Sequence, residues 1–257
     1  MRLDADRLAS KVPAVTLGFW IIKILATTLG ETGGDTLSMT FDLGYLVSTA
    51  IFLALLVALV AAQIAARRFV PLLYWATIIA STTAGTTMAD FATRSLGIGY
   101  AGGSALLLAL VLASLAAWYA ALGSISVASV HEPRAELFYW TTITISQTLG
   151  TALGDWMADD GGFGYLGAAA VFGAGLALLV ALYALTRTSR VLLFWAAFIL
   201  TRPLGAAVGD FLDKPLDHGG LDLSRPIASA VLGAVIVLLI LILPQRAAPA
   251  GVTPASA

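Results

Sequence analysis

Four aromatic pairs set the frame of this chain. Phe19-Trp20, Tyr74-Trp75, Tyr139-Trp140 and Phe194-Trp195 are each followed by a glycine ten residues after the Trp and an aspartate fifteen after it. The glycines are Gly30, Gly85, Gly150 and Gly205, and the aspartates Asp35, Asp90, Asp155 and Asp210. Four of the 6 tryptophans meet both conditions, so the chain is an internal repeat. A third marker agrees: Gly44-Tyr45, Gly99-Tyr100 and Gly164-Tyr165 recur at matching positions, with Gly219 alone in the fourth copy. A unit of this length cannot bury an apolar face by itself, so the copies must stack on one another.

Long apolar runs separate the markers. Hydrophobic residues make up 59% of the chain and charged ones 11%, roughly half the charge of an ordinary soluble domain. A helix needs about 20 apolar residues to cross ~30 Å of hydrocarbon. Eight segments qualify, two per repeat, near 13-36, 43-65, 70-93, 101-124, 136-158, 163-186, 190-212 and 225-244. The expected fold is an all-α polytopic membrane protein of eight transmembrane helices in contact with a lipid bilayer. Residues 1-12 read as a cytoplasmic N-terminus with a retained first span after them. Residues 13-244 read as one transmembrane domain, with repeats at about 13-67, 68-130, 134-187 and 188-244, and 245-257 as a disordered cytoplasmic tail. Short connections make consecutive helices antiparallel neighbours.

With two spans per repeat, all four copies enter the membrane in the same direction, and the four aspartates share one depth. Nine Lys and Arg lie on the side of the termini, against Arg94, Lys214 and Arg225 on the other, which puts both termini inside. At 1.5 Å per residue the Asp stands about 22 Å beyond its Trp. The Trp then either anchors at the inner interfacial belt or packs against neighbouring helices, and the glycines mark close helix packing.

Positions four apart share a helix face. Counting from the Trp, positions +7, +11 and +15 form one polar stripe. It reads Thr27, Glu31 and Asp35 in the first repeat, with Lys23 a turn earlier, and Thr82, Thr86 and Asp90 in the second, with Arg94 a turn later. The third has Gln147, Thr151, Asp155 and Asp159, and the fourth Arg202, Ala206 and Asp210. Such a stripe must face the interior or a water-filled cavity. Six acids against Lys23, Arg94 and Arg202 leave an excess of negative charge that a low dielectric cannot hold bare, so the cluster binds a cation, takes up protons or stays hydrated. Carboxylate, hydroxyl and amide oxygens suit a hard divalent ion such as Mn2+ or Mg2+, with Glu31, Asp35, Asp155 and Asp210 as its ligands. Gly33-Gly34, between Glu31 and Asp35, invites a break in the first helix. Arg202, before Pro203, would satisfy Asp155, Asp159 or Asp210, while Lys23 and Arg202 act as internal counter-charges. His218 with Asp213, Asp217 and Asp222 could collect a metal at the outer mouth.

Other chemistries are not called for. There is no Cys, hence no disulfide or thiolate site, and the formal net charge of -1 provides no basic face for nucleic acid. Two His, both in loops, and no glycine-rich phosphate motif, HExxH or nucleophile elbow leave enzyme catalysis without a candidate.

The four Phe/Tyr-Trp, Gly and Asp copies, at two spans each, resemble a bacterial membrane-protein family of unknown function built of four tandem two-helix repeats with a Trp in each. The resemblance covers roughly 13 to 244 and implies an eight-helix, multi-pass protein of the bacterial inner membrane. The family brings no activity with it. Glu31-Thr32-Gly33-Gly34-Asp35-Thr36 is also similar to the acidic Gly-Asp motifs of small manganese and calcium exporters, although Thr86 and Ala206 replace the acid in two copies. The expected function is therefore transport of a cation through a core lined by the odd-numbered helices. A non-transporting scaffold or sensor, or a carrier of an anionic or neutral solute, are the alternatives.

Overall fold

A computed structural model describes residues 10-249. It is all-α, with eight long helices: α1 Leu17–Asp35, α2 Gly44–Ala65, α3 Pro71–Asp90, α4 Tyr100–Leu122, α5 Pro133–Ala158, α6 Gly164–Leu185, α7 Arg190–Asp213 and α8 Arg225–Ile242. Local chemistry sets their ends. The Thr16 hydroxyl accepts from the Phe19 amide at 3.3 Å to cap α1, Ser189 caps α7 in the same way, and α3 and α5 each open on a proline. The recurring Gly44, Gly99, Gly164 and Gly219 all adopt positive φ, from 62° to 82°, which explains the third repeat marker as a turn residue with left-handed backbone.

The odd helices form a closed ring in which α1 packs on α3, α3 on α5, α5 on α7 and α7 back on α1. The even helices jacket this ring, but each packs chiefly on the odd helix of the following repeat: α2 on α3, α4 on α5, α6 on α7 and α8 on α1. Consecutive helices are therefore packed most extensively across the even-to-odd turns, with a smaller contact between α5 and α6 across an odd-to-even turn. The odd-to-even turns are bridged in part by π-helical turns at Thr36–Thr40 and Phe91–Ser95. The circular offset ties every repeat to the next and the last to the first.

Five helices are long and apolar enough to cross a membrane: α2, α4, α6, α7 and α8. The even helices are the more outward-facing of these, since only 11–17% of their apolar windows is buried against 56% for α7. Helices α1, α3 and α5 are less apolar because they carry the polar faces that turn to the axis of the ring.

The glycines seat the ring. A Cβ on Gly30 would lie 2.3 Å from Thr82 Cγ2, on Gly85 2.9 Å from the Gln147 backbone, on Gly150 2.1 Å from Arg202 Cγ and on Gly205 2.1 Å from Thr27 Oγ1. Each +10 glycine thus receives the +7 residue of the next repeat, in cyclic order, as the sequence expectation of close packing required. A second tier repeats the contact, with Gly34 against Thr86, Gly154 against Ala206 and Gly209 against Glu31. Gly33-Gly34 does not break α1, which runs unbroken to Asp35. Gly34 is used for close approach, its Cβ position being 3.0 Å from Thr86 Cγ2.

Aromatic rings close the end of the ring nearest the termini. Phe19 meets Trp75 at 5.5 Å, Tyr74 meets Trp140 at 5.6 Å, Tyr139 meets Trp195 at 6.3 Å and Phe194 meets Trp20 at 5.8 Å between centroids. The Phe/Tyr-Trp dipeptide is thereby a staple from each repeat to the next, with pairs of this kind contributing about 0.5–1.5 kcal/mol each beyond their burial. Trp75, Trp140 and Trp195 are 1%, 4% and 2% exposed, so of the two roles open to them they take packing, while Trp20 is half-buried. Val12 is buried in the same cluster. The strand-like strap through it pairs Pro13 with Ala247, and Gln245 accepts from the Trp75 indole at 3.1 Å. Residues 245-248 are accordingly tied down, contrary to the expectation of a loose tail from 245; the stretches 1-9 and 250-257 lie outside the described residues.

Candidate functional site

Because the stripe advances four residues at a time on four parallel helices, its side chains stack as layers along the ring axis. The layer at +3 holds Lys23, Ile78, Ile143 and Phe198, all fully buried. At +7 come Thr27, Thr82, Gln147 and Arg202, at +11 Glu31, Thr86, Thr151 and Ala206, and at +15 the four aspartates, none of these twelve more than 2% exposed.

The carboxylates converge. Oxygens of Glu31, Asp35 and Asp90 lie within 4.8 Å of one another, as do those of Glu31, Asp155 and Asp210, and those of Asp35, Asp210 and Asp213. Glu31, Asp35 and Asp210 each belong to two of these groups, which links all three into one cluster.

Two cations divide the aspartate layer into matching halves. Arg94 reaches Asp90 at 2.9 Å and Asp155 at 3.5 Å; Lys214 reaches Asp210 at 3.0 Å and Asp35 at 2.5 Å. Each cation sits four residues after the aspartate of its own repeat and bridges to that of the next, the fourth repeat bridging to the first. Asp213 joins from the end of α7, 3.3 Å from Arg225 and 3.9 Å from Lys214. Burial alone would lower the Lys214 ammonium pKa, but the carboxylates of Asp210, Asp35 and Asp213 outweigh it and hold the group well above the usual lysine range.

Arg202 lies beneath this layer and is fully buried. Its Nη1 and Nη2 both donate to Glu31 Oε2 at 3.0 Å, and Nη2 also donates to Thr86 Oγ1 at 2.6 Å and to Thr151 Oγ1. Its partner is thus Glu31 and not Asp155, Asp159 or Asp210. The cyclic packing explains the choice, since Gly209 of α7 rests on Glu31 and brings α1 across the face that carries Arg202.

Deeper still, Lys23 Nζ stands 4.2 Å over the Phe198 ring without a hydrogen-bond partner, and both amide atoms of buried Gln147 are unpartnered. Thr27 is spent on packing: its hydroxyl lies 2.8 Å from Ile24 O and 3.2 Å from Thr201 O, in the α1–α7 seam.

Of the residues expected at the site, Glu31, Asp35, Asp90, Asp155, Asp210, Arg94 and Arg202 come together. Asp159 does not: it is exposed, within 3.4 Å of the Tyr100 hydroxyl, a carboxylate one helical turn after Asp155 and repelled by it. Asp217, His218 and Asp222 are exposed on the α7–α8 loop and form no ligand group, whereas Asp213 turns inward. Lys214, Arg225 and Asp213 are participants that the stripe did not name. The signal for Lys214 was present, since Asp210 to Lys214 repeats the step from Asp90 to Arg94.

Four stretches of the chain, 18–69, 73–123, 138–189 and 193–246, match the Repeat of Unknown Function (DUF347). The chain belongs to this family. Each DUF347 repeat spans an odd helix and the even helix after it, so the sequence unit is not the packed hairpin: its second helix docks on the next copy. No curated protein and no solved structure matches the chain.

Proposed function

We propose that this DUF347 protein is an eight-span transporter of the bacterial inner membrane, with both termini inside, that carries a divalent cation such as Mn2+ or Mg2+, exchanging it for protons, through the axis of the odd-helix ring. The observation that carries this reading is the charge of the converged cluster. Glu31, Asp35, Asp90, Asp155, Asp210 and Asp213 face Arg94, Arg202, Lys214 and Arg225, an excess of two negative charges in the cluster itself, with Lys23 deeper on the axis and over the Phe198 ring rather than in an ion pair. One divalent ion or two protons would balance it, hydration being the other way to hold such charge in a low-dielectric interior. All candidate ligands are oxygens, the donor set of hard ions.

In this reading the conformation is occluded. Lys214 and Arg94 hold the aspartates on one side, and the aromatic staples with the Val12 strap close the other. An arriving ion displaces Lys214 and Arg94 from the aspartates, and Glu31, freed from Arg202, passes the ion toward the termini. Arg202 and Lys23 then form an electrostatic barrier to any cation that arrives without releasing Glu31.

A scaffold reading is favoured by one observation, that the acids already have internal cations. Thermal unfolding in detergent with and without millimolar Mn2+ or Mg2+ separates the two. The transport reading expects a metal-dependent rise in melting temperature that vanishes in Asp35→Asn and Glu31→Gln. A melting temperature indifferent to metal in the wild type, with both variants merely less stable, supports the scaffold and removes the cation site.

A further inference from the structure

One of the four Trp positions breaks the cyclic pattern. Trp195 is closed over by Trp118 of α4, their ring centroids 5.7 Å apart. The 65-residue interval from Trp75 to Trp140, applied to Trp118, leads to Tyr183 of α6, whose counterpart target is Trp20. Tyr183 is instead 59% exposed and lies on the wall of the gap, with the Arg190 guanidinium 4.1 Å over its ring and Arg190 Nη1 donating to its carbonyl at 2.6 Å. The place that Trp118 fills in one quadrant is left open in this one. Between α1, α6 and α7 lies an outward-facing groove of about 620 Å3, with Trp20, Ile24, Phe194, Leu176, Leu179 and Ala197 among its walls.

The shape and chemistry of the groove are those of an amphiphile. Its walls are apolar along the helices, while Arg190, Thr16 and Ser126 gather at the end nearest the termini. From Arg190 to Thr201, both on its rim, is eleven helical residues, roughly 16 Å. One leaflet of hydrocarbon is about half of ~30 Å, nearly the same length. The polar end falls on the side that the Lys and Arg distribution assigns to the anionic inner leaflet.

The geometry points to a phospholipid site: one acyl chain of an anionic phospholipid of the inner leaflet lies in the groove against Trp20, with its phosphate at Arg190. The lipid supplies the cover that Trp118 gives to Trp195 and joins α6 to α1, where the jacket is open. The site is separate from the carboxylate cluster and stands whether or not the protein carries a cation.

Native mass spectrometry of the full chain released from nanodiscs of mixed phosphatidylglycerol and phosphatidylcholine tests it. Ala197→Phe and Leu179→Trp fill the groove from its open side; Arg190→Gln removes the charge. The wild type is expected to retain one phosphatidylglycerol after the remaining lipid is stripped. Both filling variants should lower that retention at least tenfold, and Arg190→Gln should abolish the preference for phosphatidylglycerol. Equal retention in the wild type and both filling variants, or equal retention of the two lipids by the wild type, overturns the proposal. Fluorescence gives an independent check: brominated acyl chains should quench an emission component that Trp20→Phe removes, and quenching that is the same with and without Trp20 also overturns it.

Discussion

The same change, Gly to Ala, should have opposite signs at two places in this protein. Gly205 of α7 sits in the seam with α1, where an added Cβ would lie 2.1 Å from Thr27 Oγ1, 2.5 Å from Thr27 Cβ and 2.9 Å from the Thr27 carbonyl carbon. A hydroxyl can rotate, but the backbone carbon cannot. Thr27 Cβ cannot move independently either, so reaching the usual 3.5–4.0 Å separation requires α1 and α7 to part by roughly 1–1.5 Å, and the ring is closed, so the shift loads the other seams. Overpacking of this kind costs about 2–3 kcal/mol, against which Ala gains about 1 kcal/mol in helix propensity, leaving a net loss of about 1–2 kcal/mol. Gly173 of α6 has nothing within 4 Å of its Cβ position, so Gly173→Ala keeps the propensity gain alone. At about 2–4 °C per kcal/mol for a chain of this length, Gly205→Ala should melt about 2–8 °C below the wild type in detergent and Gly173→Ala slightly above it. A Gly205→Ala protein as stable as the wild type would refute the cyclic seam.

Two further outcomes follow from the same structure. Arg202→Met leaves Glu31 buried without its guanidinium and should cost about 3–5 kcal/mol, whereas Arg202→Met with Glu31→Gln should recover more than half of the loss, as read by thermal unfolding of both variants. Because the chain has no native Cys, single cysteines report topology directly: Asp160→Cys should react with a membrane-impermeant maleimide added outside intact cells, and Arg187→Cys only after the membrane is opened.

Much of this architecture is legible in the sequence, because the polar layers are a direct product of helical phase. Once Trp20, Gly30 and Asp35 are seen to recur, Glu31 and Arg202 must fall on the ring axis, and they do. The glycine seams are legible for the same reason. The offset docking of the even helices is not: an Ala/Leu/Val surface such as that of α4 carries no mark that distinguishes its own odd helix from the next. The two errors around the aspartate layer fall at helix ends. Asp159 and Lys214 both stand four residues after a stripe aspartate and directly follow the last residue of their helix, so spacing does not separate them; charge does, since the Lys214 ammonium is drawn to Asp210 and Asp35 whereas a carboxylate at 159 is repelled by Asp155. The Trp residues are open in the sequence between anchoring and packing because the choice depends on neighbours from other repeats, and those neighbours bury Trp75, Trp140 and Trp195. Gly33-Gly34 misleads because the glycine serves a neighbouring helix, a use that the local sequence does not separate from a break.

Ion flux tests the central claim most directly. Proteoliposomes containing the wild type, Asp35→Asn or Glu31→Gln, loaded with a divalent-ion indicator and a pH indicator, would be given a gradient of Mn2+ or Mg2+. The account predicts ion uptake accompanied by counterflow of protons in the wild type and a loss of at least tenfold in both variants. Flux in the wild type no greater than in empty liposomes, or unchanged in both variants, would contradict it.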